Sequence, residues 1–132
     1  MAKTLKPAMR VIGVQSEAAP AAYRSWRERR LVEDRMETFA EGLATRTAFD
    51  LPQRILRQRL DDFVLVSDDD IRAAQALMIE TTGNLVEAAG AAALAAALQI
   101  RDQLAGERVA LIASGGNATR EQLLAVLTGA VP

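Results

Sequence analysis

Five apolar residues, Val109-Ala-Leu-Ile-Ala113, run without interruption into Ser114-Gly115-Gly116-Asn117. A hydroxyl, two glycines and an amide at the end of a β-type segment can meet a ligand. In open α/β sheets ligands bind outside the carboxyl ends of strands, and residues without a Cβ let backbone approach what a side chain would exclude. The alternative reading of the same four residues is a tight turn joining strand to helix. Glu87 is a second candidate, an acid flanked by Leu85, Val86, Ala88 and Ala89. Such a carboxylate is costly unless paired, so it is either satisfied at a helix start or belongs to a polar pocket. Gly42 interrupts a weakly periodic stretch, and loops of that kind often line sites.

Residue usage narrows the chemistry. The 132 residues contain no cysteine and no histidine. Thiolate nucleophiles, disulfides, imidazole bases and the usual serine triad are thereby excluded. Positive charge comes almost wholly from arginine, and the only two lysines, Lys3 and Lys6, precede the first expected strand. Neither is placed for a buried, pKa-depressed amine. Half the residues are hydrophobic, a quarter are charged and the net charge is −1, the profile of one globular domain able to bury a core. Residues 1–132 are therefore read as a single α/β domain. No secretory leader or membrane-length segment is apparent, the apolar Ala88 to Leu98 being too short to span, so a cytoplasmic setting is expected.

The elements that must position these residues follow from periodicity and punctuation. Ala2 to Lys6 reads as the end of a helix, and β-branched Arg10 to Gln15 as a first strand. Ala19 to Leu31 is expected to be helical, with Tyr23, Trp26 and Arg27 on one face. Glu33 to Thr47 reads mostly as loop. Pro52 looks like the first residue of a short helix through Leu60, with Ile55 and Leu56 inward and Arg54, Arg57 and Arg59 toward water. Asp62 to Val66 is a second strand. Ser67-Asp-Asp-Asp70 has the spacing of a helix start, continued by Ile71, Ala74, Gln75 and Met78 until Gly83-Asn84. An alanine-dense helix is expected over Leu85 to Leu104, ending at Gly106. Arg108 to Ala113 would be the third strand. Thr119-x-x-Gln122 forms a capping box for a last helix to about Thr128. Strands alternating with helices predict an α/β fold, a three-layer βαβ arrangement with a small parallel sheet. Three strands are few for such a sheet, which points to a missing portion.

Two other clusters have ordinary explanations. Arg24, Arg27, Arg29 and Arg30 beside Tyr23 and Trp26 have the ingredients of a nucleic-acid surface, but Glu28, Glu33 and Asp34 interrupt them. They read as a solvated helix face. The three aspartates Asp68 to Asp70 suit the positive end of a helix dipole, and no calcium-loop spacing follows them. No metal, nucleic acid or membrane partner is expected.

Four segments in order carry more than each alone: Val11-Ile-Gly-Val-Gln15 with Glu17-Ala-Ala-Pro-Ala21, Thr38-Phe-Ala-Glu-Gly-Leu43, Asn84-Leu-Val-Glu-Ala-Ala-Gly-Ala-Ala92, and Ser114-Gly-Gly-Asn117. Together they resemble the threonine/serine dehydratases, fold-type II pyridoxal-phosphate enzymes, from about Leu5 to Leu127. The resemblance implies pyridoxal phosphate as cofactor, with Ser114 at its pyridine nitrogen, Gly115, Gly116 and Asn117 beside it, Gly42 and its neighbours Ala40, Glu41 and Leu43 along the ring, and Glu87 as the acid near the pocket. Phe39-Ala-Glu-Gly42 stands where the family commonly has Ile-Ala-Asp-Gly. The divalent-cation site of some relatives is not carried over, because Gln15 and Ala21 offer no carboxylate.

The family's lysine, which forms the Schiff base, and its glycine-rich phosphate loop lie upstream of the part matched here. The resemblance thus implies the carboxyl-terminal part of the cofactor-binding domain, inactive alone and completed by a missing amino-terminal half or a partner chain carrying the lysine. The complete enzyme would act on L-threonine or L-serine by β-elimination of water. The alternative is a non-catalytic truncated relative serving as a binding or oligomerisation module. A homo-oligomer that covers an exposed sheet edge is expected.

Overall fold

A computed structural model describes residues 2–129. After a single helical turn, α1 (Ala2–Leu5), the chain forms β1 (Ile12–Ser16), α2 (Ala21–Glu28), a 3₁₀ turn (Glu41–Leu43), α3 (Asp50–Arg59) and β2 (Asp62–Val66). It continues through α4 (Asp68–Thr82), α5 (Ala88–Gln99), a second 3₁₀ turn (Arg101–Leu104) and α6 (Arg120–Thr128). β1 and β2 pair in parallel, Ile12 opposite Asp62 and Ser16 opposite Val66.

Three layers arise from strand alternation, since successive side chains point to opposite faces. Phe63 meets the rings of Tyr23 and Trp26 edge-on, at 5.7 and 5.9 Å between centroids. That seats α2 on one face. Val64 and Val66 point the other way, into a core made with Ile71, Ala74, Val86, Ala91, Ala92, Ala95 and Ala96. The small side chains of α5 let its backbone lie close to both α4 and the strands. This reproduces the expected three-layer α/β arrangement.

Several boundaries are as the residues dictate. Ser67 caps α4, accepting from the Asp70 amide at 3.0 Å, and Gly83 ends it with a left-handed φ of 68° that a Cβ would oppose. The capping box of Thr119 and Gln122 is formed. The arginines of α2 face water, Arg24 pairing with Glu28 and Asp34.

Other expectations are corrected. Arg108 to Ala113 is not a strand: it has no ladder partner and every residue in it is exposed. A strand exists only through its neighbour's hydrogen bonds, so β-type composition without a partner leaves extended coil. The sheet accordingly has two strands among the described residues rather than three. α5 begins at Ala88, because Glu87, its N-cap, is in an extended conformation. It also stops at Gln99, with residues 101–104 tightening into a 3₁₀ turn. In α3 the first helical residue is Asp50, so Pro52 is third. Ile55 of that helix is turned outward while Gln53 is buried, its amide donating to the Ala22 carbonyl at 3.0 Å. An amide that satisfies a neighbouring helix's carbonyl displaces the isoleucine that periodicity alone would place inside.

Candidate functional site

At the carboxyl ends of β1 and β2, Asp68 binds three groups. Its Oδ1 accepts from Ser16 Oγ at the end of β1 and from Thr38 Oγ1, both at 2.7 Å, and its Oδ2 accepts from the Phe39 amide at 3.1 Å. Thr38 Oγ1 in turn accepts from the Ala40 amide. One first-turn carboxylate therefore fastens the loop that carries Gly42 over the strand ends. Arg72, one turn further along α4, stacks 3.8 Å from the centre of the Phe39 ring and braces the same loop.

The loop is thereby pressed against the start of α5. A Cβ on Gly42 would lie 2.8 Å from that of Ala89, and 3.7 Å from Glu87 Oε1. Although Glu87 occupies the N-cap position of α5, its side chain makes no capping hydrogen bond. Its Oε2 accepts from the Asn117 amide at 3.1 Å, and its own amide donates to the Gly115 carbonyl at 3.0 Å. Gly116 is required by space, and Gly115 leaves room for the Glu87 carboxylate where it stands. A Cβ on Gly115 would stand 2.5 Å from Glu87 Oε1, and one on Gly116 2.7 Å from the Leu85 carbonyl oxygen. Gly90 completes the fit, since a Cβ there would meet the Gly115 carbonyl at 2.9 Å. Gln75 supports this wall from behind by donating to the Val86 carbonyl at 2.8 Å.

Gly42, Glu87, Gly115, Gly116 and Asn117, up to 75 residues apart in sequence, thus converge on one place. Ser114 stands at the outer end of the turn, exposed, its hydroxyl without a hydrogen-bond partner among the described residues. A cavity of about 620 Å³ opens beside the cluster, lined by Phe39, Gly42, Arg72, Gln75, Glu87 and Asn117 among others. α6 closes part of its rim, with Gln122 Nε2 donating to Glu41 Oε1 at 3.2 Å.

Sequence reasoning missed Asp68, Arg72 and Gln75. Asp68 was fully accounted for by its place in a helix start, and nothing in its spacing signals bonds to residues 30 and 52 positions away. The lysines lie at the other end of the sheet. Lys3 pairs with Asp61, which also accepts from the Val11 amide at 2.7 Å just before the strands begin. Roughly 13 Å of five-residue strand separates that pair from the Asp68 end. The Lys3 ammonium and the Val11 amide hold the Asp61 carboxyl below its ordinary range. Gln15 is spent on α2 and the loop, accepting from the Tyr23 amide and donating to Thr45. Among the described residues, no group of three His, Cys, Asp or Glu is arranged to hold a metal, and no helix is long and apolar enough to cross a membrane.

Residues 1–115 match the family described as "Pyridoxal-phosphate dependent enzyme". The chain belongs to that family. Among curated members of it, the chain is 35% identical over 118 residues to the L-threonine ammonia-lyase of Thermotoga maritima, covering 87% of this chain and 29% of that protein. It is 38% identical over 113 residues to the L-threonine ammonia-lyase of Geobacter sulfurreducens, covering 84% and 28%. Among solved structures, the T.th. threonine deaminase superposes with a TM-score of 0.83 at 35% identity, over 89% of this chain and 42% of that one. The processed threonine deaminase isoform 2 of Solanum lycopersicum gives 0.85 at 28% identity, over 96% and 38%. The chain spans less than half the length of each of these relatives. Its fold is that of the fold-type II pyridoxal-phosphate enzymes.

The residues present fit that cofactor on one side. Arg72 Nε and Gln75 Oε1, on residues that line the cavity, are buried without partners, and the Ser114 hydroxyl is unengaged. A lysine at the site is absent, both lysines being at or before the opposite end of the strands.

Proposed function

We propose that this chain is the carboxyl-terminal part of the cofactor-binding domain of a threonine/serine dehydratase, with residues 1–132 forming one α/β unit. Carrying the proposal is the convergence of Glu87 on the Ser-Gly-Gly-Asn turn beside Gly42, which unites three of the four segments behind the resemblance. Pyridoxal phosphate, when bound, supplies an electron sink for charge developing at a substrate's α-carbon.

This chain's residues would hold and tune that group rather than move protons. Ser114 offers a neutral hydroxyl to the pyridine nitrogen. Unlike a carboxylate, it does not force that nitrogen to remain protonated, which limits charge delocalisation and suits elimination over transamination. Gly115 and Gly116 let the turn lie against Glu87 and the Leu85 carbonyl, which sets where Ser114 stands. Asn117 fixes Glu87 through its backbone amide, so the acid sits at a set place beside the Gly42 loop, and Asp68 keeps that loop down.

The reaction of the complete enzyme is loss of water from L-threonine or L-serine. A lysine from the missing amino-terminal half or a partner chain removes the α-proton, the β-hydroxyl leaves as water, and the enamine released hydrolyses to a 2-oxo acid and ammonia. A cytoplasmic, homo-oligomeric setting belongs to the same reading. The exposed Val109 to Ala113 segment favours one second reading, a non-catalytic relative that uses this surface for binding or self-association.

The test is complementation. The chain is incubated with pyridoxal phosphate and L-threonine, alone and with a lysine-bearing amino-terminal polypeptide of a relative, while cofactor absorbance and 2-oxo acid are followed. Product is expected only from the pair. Turnover by the chain alone overturns the proposal, and no turnover from any such pair supports the second reading.

A further inference from the structure

Two buried polar atoms on α4 have no partner among the described residues: Arg72 Nε, a donor, and Gln75 Oε1, an acceptor. Gln75 is 1% exposed, and its amide nitrogen is already spent on the Val86 carbonyl. The Arg72 guanidinium lies on the Phe39 ring and makes no ion pair among the described residues. Orphaned groups of this kind are costly inside a fold and call for an explanation. Both residues line the cavity of about 620 Å³, a volume within the range of small-molecule sites.

The chemistry of an occupant follows from what the two atoms lack. Residues three apart on a helix are neighbours, their Cβ atoms about 5–6 Å apart, so the missing acceptor and the missing donor belong side by side. A guanidinium suits a carboxylate, and an amide oxygen requires an N–H. Charge narrows the choice. Glu41 and Glu87 line the same cavity, so a simple anion at Arg72 faces two carboxylates and a simple cation faces the guanidinium. A small molecule carrying both signs close together avoids either repulsion. Glu87 Oε2 is taken by the Asn117 amide, which leaves Oε1 able to accept, and Ala89, Ala125 and Val126 add apolar lining for a small side chain.

We propose that this cavity is a binding site for a free α-amino acid, its carboxylate on Arg72 and its ammonium at Gln75 Oε1, with Glu87 supplying the countercharge. The site goes beyond the dehydratase reading, since it needs neither cofactor nor lysine. It shares Gly42, Glu87 and Asn117 with the cluster described above, but Ser114 is not part of its lining. An occupant is felt directly by the Gly42 loop, because Arg72 braces Phe39.

The test is titration of the whole chain, without cofactor, followed by NMR. L-Alanine should bind with a Kd of about 1 mM and shift the Gln75 side-chain amide and the Phe39 backbone amide, while propionate and ethylamine, each lacking one charge, should bind at least about tenfold more weakly. Arg72→Gln should weaken L-alanine about tenfold or more. Should that variant fail to fold, the three ligands on the unaltered chain decide the matter. No binding of L-alanine, equal binding of propionate or ethylamine, shifts that spare Gln75 and Phe39, or full affinity in folded Arg72→Gln would each overturn the proposal. L-Alanine binding by a chain that no lysine-bearing polypeptide activates upholds the site and overturns the dehydratase reading, whereas turnover by such a pair without L-alanine binding to the chain does the reverse.

Discussion

Residues 12–99 and residues 105–119 solve opposite problems with similar composition. In the first region the apolar runs of the strands and central helices have found partners: Val64 and Val66 pack on α5, Phe63 on Tyr23 and Trp26, and Ile71 disappears between helices. In the second, an equally β-prone run lies open, held only where Glu87 grips the turn that follows it. Hydrophobic composition alone therefore does not make core. What separates the regions is whether a second element is present to accept the backbone hydrogen bonds and cover the faces.

The contrast can be broken most sharply with one isoleucine from each region. Ile71→Ala should lower stability by about 2–5 kcal/mol, the range for a buried aliphatic that leaves a cavity, whereas Ile112→Ala should change it by less than about 0.5 kcal/mol in the chain alone. Urea unfolding of both variants reads the difference directly, and equal effects would show that residues 109–113 are buried in solution.

Gly90→Ala probes the junction between the regions. Its methyl would meet Val86 Cγ2 at 2.7 Å and the Gly115 carbonyl at 2.9 Å, and overpacking of this kind costs about 1–3 kcal/mol. The stability loss should come with faster amide exchange at Asn117, whose amide is released as the turn shifts from Glu87. Cap removal separates the regions more gently. Ser67→Ala should cost about 1 kcal/mol globally, because α4 is part of the core. Thr119→Ala should instead fray α6 locally, visible as lost helical signal with little change in the unfolding midpoint.

Acid gives the smallest effect and acts at two surface carboxylates, Asp61 before β2 and Asp34 beside α2. Lys3 and the Val11 amide depress the Asp61 carboxyl, and Arg24 with the Arg35 amide depress that of Asp34. A depressed folded-state pKa contributes stability that is present above the unfolded value and is lost as pH falls through the folded one. The urea midpoint should therefore decline below about pH 4, and Asp61→Asn should reduce that decline.

Much of the fold was legible because it depends on neighbours in sequence. β2 has the limits its residues set, Ser67 and Gly83 bracket α4, and Thr119 with Gln122 starts α6. The candidate cluster was legible as well, through the order of its motifs. What misled was periodicity applied where partners decide: Ile55 is outside because Gln53 binds the Ala22 carbonyl, and Arg108–Ala113 is coil because no strand adjoins it. Asp68 escaped notice for the reverse reason. Its local role was sufficient, so its longer-range bonds left no trace in the spacing.

By itself the sequence determined which residues could bind and which chemistry was out of reach, since residue type fixes the available groups: a hydroxyl at Ser114, an acid at Glu87, and no histidine, cysteine or suitably placed lysine. Only the tertiary structure decided that Glu87 turns away from its own helix to hold Asn117, that Gly115 and Gly116 leave room for that carboxylate and for the Leu85 carbonyl, and that Asp68 ties the Gly42 loop to the strand ends. Those are choices among distant partners. Such choices depend on how close packing brings backbone together, which the order of residues along one chain does not state.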